Sequence, residues 1–314
     1  MNYVIFDLEW NQGVSHGEKH DKRLPLEIVE IGAVKLNDER EMIGEFSQLV
    51  KPQIYHEMHS ITRKIIHLQM EELEKGKPFE EIMPEFLEWC GDDTIFCTWG
   101  TLDLLELQRN MEYYHMAPLN DRPIKYYDIQ KLFSLAYEDG KSRRTLEYAI
   151  DILNIKKDIP FHRAFSDAYY TAKVFDKIED PLVLEKFSFD TFIVPDCKEH
   201  EINIVFSDYA KHISQTFEDK TTLLNTKYIN TPVCYKCNRR ISKRVKWFSP
   251  NGKHYYAVGY CLYHGYMKSK IRIRRADNGG VYTVTTHKLI CKDEKKQIVE
   301  KRNEIAQKKQ SKQL

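Results

Sequence analysis

Residues 3–12 read YVIFDLEWNQ, an apolar run that ends in two acids one residue apart. The run Tyr3–Leu8 predicts a buried strand. Because side chains at positions i and i+2 of a strand point to the same side, Asp7 and Glu9 are predicted to lie together at its end. Unpaired carboxylates held this close repel each other, and a divalent cation would relieve the repulsion. An isolated pair of this kind is more often a solvated strand end, so the interpretation depends on the rest of the chain.

The segments after this strand predict an α/β domain. Further strands are predicted at residues 27–36, 42–50, 94–98 and 125–128, and helices near residues 78–89, 102–115, 130–137, 145–153 and 163–178. Strands that come first and then alternate with helices are typical of a mixed sheet flanked by helices.

Two more acids are candidates to join the pair at the strand end. Asp103 lies in the first turn of the helix after strand 94–98, and Asp167 lies early in the helix from residue 163. Asp103 alone could be a dipole partner at the N-terminus of its helix, and Asp167 alone could be an exposed helical acid. His162 precedes Asp167 by five residues and would approach from a loop, although a lone loop histidine is more often structural. Four acids at three places in the chain favour a shared site.

Five segments resemble, in order and spacing, the motifs of the DEDD 3′→5′ exonucleases, in the branch that carries a histidine (DEDDh). They span about residues 3–178 and read VIFDLEWNQ, EIVEIGAVKL, WGTLDLLEL, RRTLEYAIDILNI and HRAFSDAYYTAKVF. In the tyrosine branch a tyrosine stands four residues before the last aspartate. Arg163 holds that position here, and His162 holds the position of the histidine. Within the branch, the chain looks most similar to Eri1-like and KapD-like exonucleases that trim RNA 3′ ends.

The resemblance implies a ribonuclease H-like fold with a five-stranded mixed sheet, and hydrolysis of phosphodiester bonds to nucleoside 5′-monophosphates. It implies two divalent cations, Mg²⁺ or Mn²⁺, that activate a water and stabilise the leaving oxygen. Asp7 would bridge the two ions, Glu9 and Asp167 would complete the shell of one, and Asp103 would support the other through water. His162 would be the general base.

The resemblance also implies a place for the 3′ end of the substrate. Leu8, through its backbone, and Glu9, through its side chain, match the positions that contact the terminal sugar. Trp10 follows directly and either stacks on the terminal base or belongs to the core.

A second metal site is predicted late in the chain, where Cys234-x2-Cys237 and Cys261-x2-His264 are separated by 23 residues. This spacing is typical of a structural zinc ribbon. The basic, polar stretch around these residues has little apolar material to hold it together without metal. His287 or Cys291 could replace His264 as the fourth ligand.

The net charge of +1 conceals two halves of opposite sign. Residues 1–200 hold 24 Lys and Arg against 38 Asp and Glu, whereas residues 201–314 hold 24 against 9. Attraction between the halves is one explanation, but the basic half is also rich in aromatic residues. Alternation along residues 270–275 predicts a strand with Lys270, Arg272 and Arg274 on one face. Basic and aromatic side chains together indicate a nucleic-acid partner.

These patterns predict four segments. They are an exonuclease domain at residues 1–185, a connector at 186–230 with a helix near 207–217, a basic zinc-ribbon-like nucleic-acid-binding domain at 231–292, and a charged tail at 293–314 that is either a frayed helix or disordered.

Composition excludes several classes of protein. The first ten residues lack the cationic region of a secretory signal, and no apolar run reaches bilayer length. The seven cysteines fit metal-bound thiolates in a reduced compartment better than a disulfide framework. We therefore expect a cytoplasmic protein without a membrane partner.

Three functions remain open at this point. An exonuclease that acts on single-stranded RNA or RNA overhangs is favoured, and RNA is preferred to DNA on the resemblance alone. A DNA 3′→5′ exonuclease of the proofreading or repair type is the second possibility. The third is a nucleic-acid-binding protein with a decayed active site, although such a protein has no need for an intact set of acids.

Overall fold

The computed structural model describes residues 1–13, 21–66, 68–276 and 279–311. The chain divides into two compact units, Met1–Thr191 and Phe192–Leu314. Across the described residues, no helix is both long enough and apolar enough to cross a bilayer.

The first unit is built on a mixed sheet whose six described strands are β1 (Asn2–Asn11), β2 (Glu27–Leu36), β3 (Met42–Leu49), β4 (Thr94–Thr98), β5 (Lys125–Asp128) and β6 (Ser188–Phe189). Their order is β3-β2-β1-β4-β5-β6. The β3, β2 and β1 strands pair antiparallel, whereas β1, β4 and β5 run parallel. The predicted five-stranded mixed sheet is confirmed, and the two-residue β6 extends its edge by pairing antiparallel with β5.

Helices cover both faces of this sheet. They are α1 (Ser60–Ile66), α2 (Met70–Leu73), α3 (Phe79–Cys90), α4 (Leu102–Tyr113), α5 (Ile129–Tyr137), α6 (Leu146–Ile152), α7 (Ala164–Asp176) and α8 (Pro181–Leu184). One core packs α3 and α4 against alternate residues of β1, including Phe6 and Leu8. The other core packs α5, α6 and α7 against the opposite face, which includes Ile5. Asp7 has the parity of Ile5 along β1, so it points toward the α7 side.

A glycine sets the position of α7. Gly32 pairs with Asp7 across the β1–β2 ladder. A Cβ at Gly32 would lie 1.9 Å from the backbone nitrogen of Phe165, so the first turn of α7 packs on bare strand backbone. This close approach brings Asp167, which lies in the same first turn of α7, to the end of β1.

The second unit is an antiparallel sheet. Its described strands are β7 (Ile202–Val205), β8 (Tyr209–Ile213), β9 (Ser242–Phe248), β10 (His254–Cys261), β11 (Gly265–Arg275) and β12 (Val281–Ile290), in the order β7-β8-β12-β11-β10-β9. A short 3-10 helix (Lys198–His200) and the helices α9 (Lys220–Asn225), α10 (Lys227–Asn230) and α11 (Lys292–Gln310) complete it.

The second unit differs from the predicted segments in three ways. The prediction of a connector at 186–230 is wrong, because β6 joins the first sheet and β7 and β8 join the second. The helix near residues 207–217 is wrong, because β8 lies there and pairs with β12. The predicted zinc-ribbon-like segment at 231–292 is therefore one part of a larger sheet. The tail, for which a helix and disorder were both open, is helical over Lys292–Gln310, and residues 312–314 lie outside the described part.

Candidate active site and cysteine–histidine cluster

Parallel pairing brings the first acids to one edge of the sheet. β1 and β4 run side by side, with Ile5 opposite Cys97, so their carboxyl ends meet. Asp7 and Glu9 follow Ile5 on β1. Asp103 is the second residue of α4, which begins shortly after β4 ends. The carboxyl edge of a parallel strand pair is a common place for a functional site.

Asp7, Glu9 and Asp167 form one carboxylate cluster. One carboxylate oxygen from each lies within 4.8 Å of the others. The Oδ1 atom of Asp167 is buried and has no hydrogen-bond partner among the described residues. A buried acceptor without a partner is costly, so the cluster is built to receive a ligand that supplies positive charge or a donor.

Asp103 on α4 lies near this cluster but is not one of its three members. Its side chain is only 6% exposed, and its carboxylate is hydrogen-bonded to the backbone of Leu8, which lies between Asp7 and Glu9. Asp103 also interacts electrostatically with Asp7 and Asp167. The four predicted acids therefore converge at one strand end.

Burial and repulsion disfavour ionisation of these acids. Burial, followed by repulsion from neighbouring carboxylates, raises the pKa of Glu9 to about 8 and holds the pKa of Asp7 well above its usual range. Burial raises the pKa of Asp103 to about 7 and that of Asp167 to about 6, although hydrogen bonds to both carboxylates act in the opposite direction. Removing this penalty requires a compensating positive charge.

His162 stands at the start of α7 with an unusual backbone. Its φ of 64° lies in the left-handed region, which non-glycine residues seldom adopt. The side chain is exposed, and the His162 backbone is hydrogen-bonded to the carboxylate of Asp167. The charge of the imidazole also acts on Asp167. The structure thus places His162 beside the acids, with its ring open to solvent.

Two residues that the sequence did not single out as site residues fix the start of α7. The Glu30 side chain on β2 is 1% exposed and accepts hydrogen bonds from Nε and Nη2 of Arg163. Glu30 also accepts a hydrogen bond from the backbone nitrogen of Ala164 at 3.4 Å. The signal was an acid inside the apolar run EIVEIGAV, because a buried acid in a central strand requires a partner.

The candidate substrate contacts at the end of β1 divide between core and surface. The Leu8 side chain is 3% exposed and belongs to the core, so only its backbone can meet a ligand. Trp10 is partly buried and packs against the same core, which favours packing of the two roles left open for it. Glu9 is partly exposed at the site.

The donor set fits divalent cations. Carboxylate oxygens are the ligands that Mg²⁺ and Mn²⁺ prefer. Asp7, Glu9 and Asp167 supply closely spaced oxygens, and Asp103 adds a fourth acid at the same edge. The burial of these carboxylates and the unpartnered Asp167 oxygen suit a site for a divalent cation.

The second unit contains a cysteine–histidine cluster. The ligand atoms of Cys234, Cys237, Cys261 and His264 lie within 4.8 Å of one another. The Cys237 and Cys261 sulfurs are 3.7 Å apart, and Nδ1 of His264 lies 3.5 Å from the Cys234 sulfur and 3.7 Å from that of Cys261. Tetrahedral zinc with Zn–S bonds of about 2.3 Å would hold two sulfurs about 3.8 Å apart. The spacing therefore matches the edges of a zinc tetrahedron.

The two halves of this cluster have the same construction. The Cys234 sulfur is hydrogen-bonded to the backbone of Lys236 and Cys237, and the Cys261 sulfur to the backbone of Tyr263 and His264. Each half ends in a residue with positive φ, Asn238 at 55° and Gly265 at 83°. Turns that aim backbone N–H groups at cysteine sulfur stabilise thiolates and suit a metal site.

The alternative fourth ligands lie elsewhere. Nδ1 of His287 is hydrogen-bonded to the Ser269 hydroxyl at 2.8 Å. Cys291 caps the N-terminus of α11. Among the described residues, His264 is grouped with Cys234, Cys237 and Cys261, whereas His287 and Cys291 are not.

The predicted basic strand face exists on β11. Met267, Ser269 and Ile271 are buried, whereas the alternate residues are at least partly exposed. Those alternate residues are Tyr266, Lys268, Lys270, Arg272 and Arg274, which we call the basic strand face. Across the sheet Tyr256 pairs with Lys270, and Lys301 of α11 lies 5.2 Å from the Tyr256 ring centroid. Cations and aromatic rings are therefore interleaved on this face.

Comparisons with known proteins show the family of the first unit. Residues 4–175 match the exonuclease (RNase_T) family. The chain is 26% identical over 178 residues to DNA polymerase III PolC-type of Staphylococcus haemolyticus (strain JCSC1435) and, over the same length, of Staphylococcus aureus. Each alignment covers 56% of this chain and 11% of the relative, so the chain spans about a tenth of the length of these polymerases.

Solved structures of exonucleases also align. The nuclease domain of 3'hExo, a DEDDh family member bound to rAMP, aligns with a TM-score of 0.49 at 17% identity, covering 60% of this chain and 96% of that one. Escherichia coli Exonuclease I in complex with a dA16 oligonucleotide aligns with a TM-score of 0.46 at 12% identity, covering 75% of this chain and 60% of that one.

Proposed function

Because this chain belongs to the exonuclease family, we propose that it removes nucleotides one at a time from the 3′ end of single-stranded RNA or RNA overhangs. Family membership confirms the predicted class of enzyme, a nuclease of the ribonuclease H-like fold. The observation that carries the proposal is the convergence of Asp7, Glu9, Asp103 and Asp167 at one strand end, with His162 beside them.

The acids provide the cation site of this reaction. Asp7, Glu9 and Asp167 would hold Mg²⁺ or Mn²⁺ directly, and Asp103 would support the site from α4. Bound there, two cations would neutralise charge on the scissile phosphate, lower the pKa of a water and stabilise the leaving oxygen. Neutral variants of these acids would therefore lose turnover.

His162 is the proposed general base. Its ring is exposed beside Asp167, where it can accept a proton from the attacking water and release it to solvent. The hydrogen bond between the His162 backbone and Asp167 fixes the base relative to an acid of the cation site. The Leu8 backbone and the Glu9 side chain would position the terminal sugar, so that attack occurs at the last phosphodiester.

RNA is the proposed substrate because the motifs resemble the RNA-trimming branch of the family. DNA is the second candidate. The polymerases that align with 178 residues of this chain favour DNA, although the aligned part is a small share of each polymerase. The two sugars differ by the 2′-hydroxyl, so a direct comparison of matched substrates decides between them.

The second unit is proposed to bind the nucleic acid and to hold a structural zinc ion. The cysteine–histidine cluster would fix the turn after α10 to the β10–β11 hairpin, which stabilises a sheet with a small core. The basic strand face would then bind phosphates, next to the Tyr256 and Tyr266 rings, which lie beside Lys301 and Lys295 of α11.

The test uses purified chain with RNA and DNA oligonucleotides of one sequence, labelled at either end, with Mg²⁺, with Mn²⁺ and without divalent metal. We expect metal-dependent shortening of 5′-labelled RNA, release of nucleoside 5′-monophosphates, and slower attack on DNA. Asp7→Asn is the matched inactive control. Preferential digestion of DNA would transfer the proposal to the second candidate, and absence of any metal-dependent cleavage in the wild type would refute both.

A further inference from the structure

The second unit contains a cavity that the nuclease site and the zinc cluster leave unexplained. Its volume is about 790 Å³, within the range of about 300–1,000 Å³ that is usual for small-molecule sites. Strands β7, β8 and β12 form its floor, and the segment from α10 to Arg240 forms its wall. His287 of the floor pairs in the ladder with Ser269, which is buried, so the cavity lies on the side opposite the basic strand face.

A buried carboxylate organises the floor. The Glu201 side chain is 5% exposed. Its carboxylate accepts hydrogen bonds from the Tyr228 hydroxyl at 2.6 Å and the Gln215 backbone at 3.0 Å, and it pairs with Nε2 of His212 at 3.0 Å. These contacts fix the Tyr228 and His212 rings. They also satisfy the acceptor oxygens of the carboxylate, which therefore needs no further donor from a ligand in the cavity.

His287 presents a second imidazole to the cavity. Its Nδ1 is held by the Ser269 hydroxyl at 2.8 Å. Its Nε2 has no hydrogen-bond partner among the residues that the structure describes, although the ring lines the cavity. The floor therefore has a rigid ring nitrogen available to a polar ligand.

The rim carries positive charge. Lys198, Lys227 and Arg240 line the cavity and are exposed, and Lys211 lines it from β8. Glu201 is the single acid among the lining residues within the described part of the chain. Four cationic side chains face that one carboxylate, so the surplus charge of the cavity is positive and favours an anionic ligand.

Aromatic and apolar side chains line the rest of the wall. Tyr228 and Tyr235 contribute rings, and Ile204, Val205 and Val233 contribute apolar surface. Nζ of Lys198 lies 5.2 Å from the Tyr228 ring centroid, so a cation stands beside an aromatic face at the rim. Cations that bind an anion, next to aromatic rings that stack on a planar group, suit a ligand that contains both a phosphate and a planar ring.

We propose that this cavity binds a nucleotide, with its phosphate on the rim cations Lys227 and Arg240 and its base against Tyr228. The choice of a nucleotide over other planar anions rests on the proposed nuclease function. The bound species is either a free nucleoside monophosphate or one nucleotide of an RNA strand, since both present the same phosphate and base.

The test measures binding to the full chain that carries Asp7→Asn, in buffer without divalent cations, to suppress binding at the nuclease site. The probes in calorimetry are adenosine 5′-monophosphate, adenosine, inorganic phosphate and a short oligoadenylate. We expect saturable binding of the monophosphate, and weaker binding of adenosine and of phosphate alone. An oligoadenylate that binds more tightly than the monophosphate identifies the RNA strand as the source, and equal or weaker binding identifies the free nucleotide.

Charge reversal at the rim tests the location. Lys227→Glu with Arg240→Glu should weaken binding by about tenfold or more, because two charge-assisted contacts are lost. Lys243→Glu with Lys246→Glu makes the same change of charge on exposed residues of β9 that do not line the cavity, and should leave affinity nearly unchanged. Equal weakening by both pairs, or no binding of the monophosphate, would overturn the proposal.

Substitution of Tyr228 tests base recognition. Tyr228→Phe keeps the ring and Tyr228→Ala removes it, while both lose the bond to Glu201. Weaker binding by the alanine variant alone supports stacking, and equal binding by both variants contradicts it. If the wild type binds the nucleotide but shows no nuclease activity, the proposed function is refuted and the cavity site stands. If the wild type is an active nuclease but the Asp7→Asn chain binds no nucleotide, the cavity site alone is refuted.

Discussion

Glu30 and Arg163 form a two-pronged ion pair between β2 and the residue that precedes α7. Nε of Arg163 lies 3.1 Å and 3.0 Å from the two Glu30 oxygens, and Nη2 lies 2.8 Å from Oε1. Glu30 is also the ladder partner of Glu9. One acid of this cross-strand pair is therefore neutralised by arginine, while the other remains at the cation site. The pair also fixes the backbone on which His162 and Asp167 stand.

Replacing only Arg163 should lower the free energy of unfolding more than replacing both Glu30 and Arg163. Arg163→Met leaves the Glu30 carboxylate buried without a cationic partner, which should lower the free energy of unfolding by about 2–4 kcal/mol. Glu30→Gln combined with Arg163→Met should recover part of that loss, because no buried charge remains. Urea denaturation of the two single variants and the double variant measures the coupling. Additive losses would show that the two side chains do not act as a pair.

Gly32→Ala should displace α7. The added Cβ would meet the backbone of Phe165 at 1.9 Å, and backbone cannot rotate aside. We expect a loss of stability of about 3 kcal/mol or more, and a loss of nuclease activity as Asp167 moves. Gly44→Ala is the matched control in the same sheet, since its Cβ would lie 3.5 Å from the Trp89 ring, an ordinary contact. Similar behaviour of the two variants in thermal unfolding and activity would contradict this account of the glycine.

Zinc content should depend on the cluster cysteines and not on Cys291. The purified chain should carry about one zinc ion, Cys261→Ser should lose it, and Cys291→Ser should keep it. Elemental analysis measures the content, and melting in the presence of a chelator measures the contribution to stability. Loss of zinc from the Cys291 variant would reopen the identity of the fourth ligand.

Acid should destabilise the second unit through His287. Burial, and then the charge of His212 on β8, lowers the pKa of His287 to about 4. The unfolded chain has the ordinary value of about 6.5, so it takes up the proton first as the pH falls. The contribution of the neutral ring is fully present above about pH 6.5 and is lost as the pH falls toward about 4.

A variant isolates this effect from other titrations. The Ser269 hydroxyl on β11 is hydrogen-bonded to the His287 ring. The charged or titratable groups around the ring are His212 of β8, its partner Glu201, and Lys211 and Arg240 of the cavity lining. His287→Gln removes the titrating ring and should flatten the fall in melting temperature between about pH 7 and pH 5. Parallel curves for wild type and variant would contradict the prediction.

RNA affinity should depend on the basic strand face. Lys270→Glu with Arg272→Glu should weaken RNA binding and reduce the steepness of its dependence on salt concentration, because fewer counterions are released. Lys64→Glu with Lys75→Glu changes exposed residues of the first unit by the same charge and is the control. Filter binding at several salt concentrations measures the slope, and an unchanged slope in the strand-face variant would exclude that face from RNA binding.

Local pattern was sufficient for most of the first unit. β2, β4 and β5 have the predicted bounds. Parallel pairing of β1 with β4 then makes the meeting of Asp7 and Asp103 a consequence of topology. The site was predictable because four acids stand at three separate places in the chain, whereas the Asp7 and Glu9 pair alone is more often a solvated strand end.

Long-range pairing explains what the sequence left hidden. β8 is a strand because Ile213 pairs with Val284, a partner far along the chain that no local window contains. The Glu30–Arg163 pair was equally hidden, since Arg163 drew notice only as the residue in the position of a tyrosine. Which buried acid meets which cation depends on helix docking, and helix docking here depends on Gly32.

The contact of α7 with Gly32 also affects how many substitutions in the protein interior can occur before the four acids change position. At this contact the backbone of α7 packs directly on the backbone of β2, so no side chain lies between them. A change of packing in the surrounding apolar cores therefore cannot reach α7 through a side chain that shifts its rotamer at this point. Large-to-small changes beneath α5 or α6 should therefore loosen those helices before they shift Asp167. A single absent methyl group thus insulates the geometry of the acids from variation in most of the protein interior.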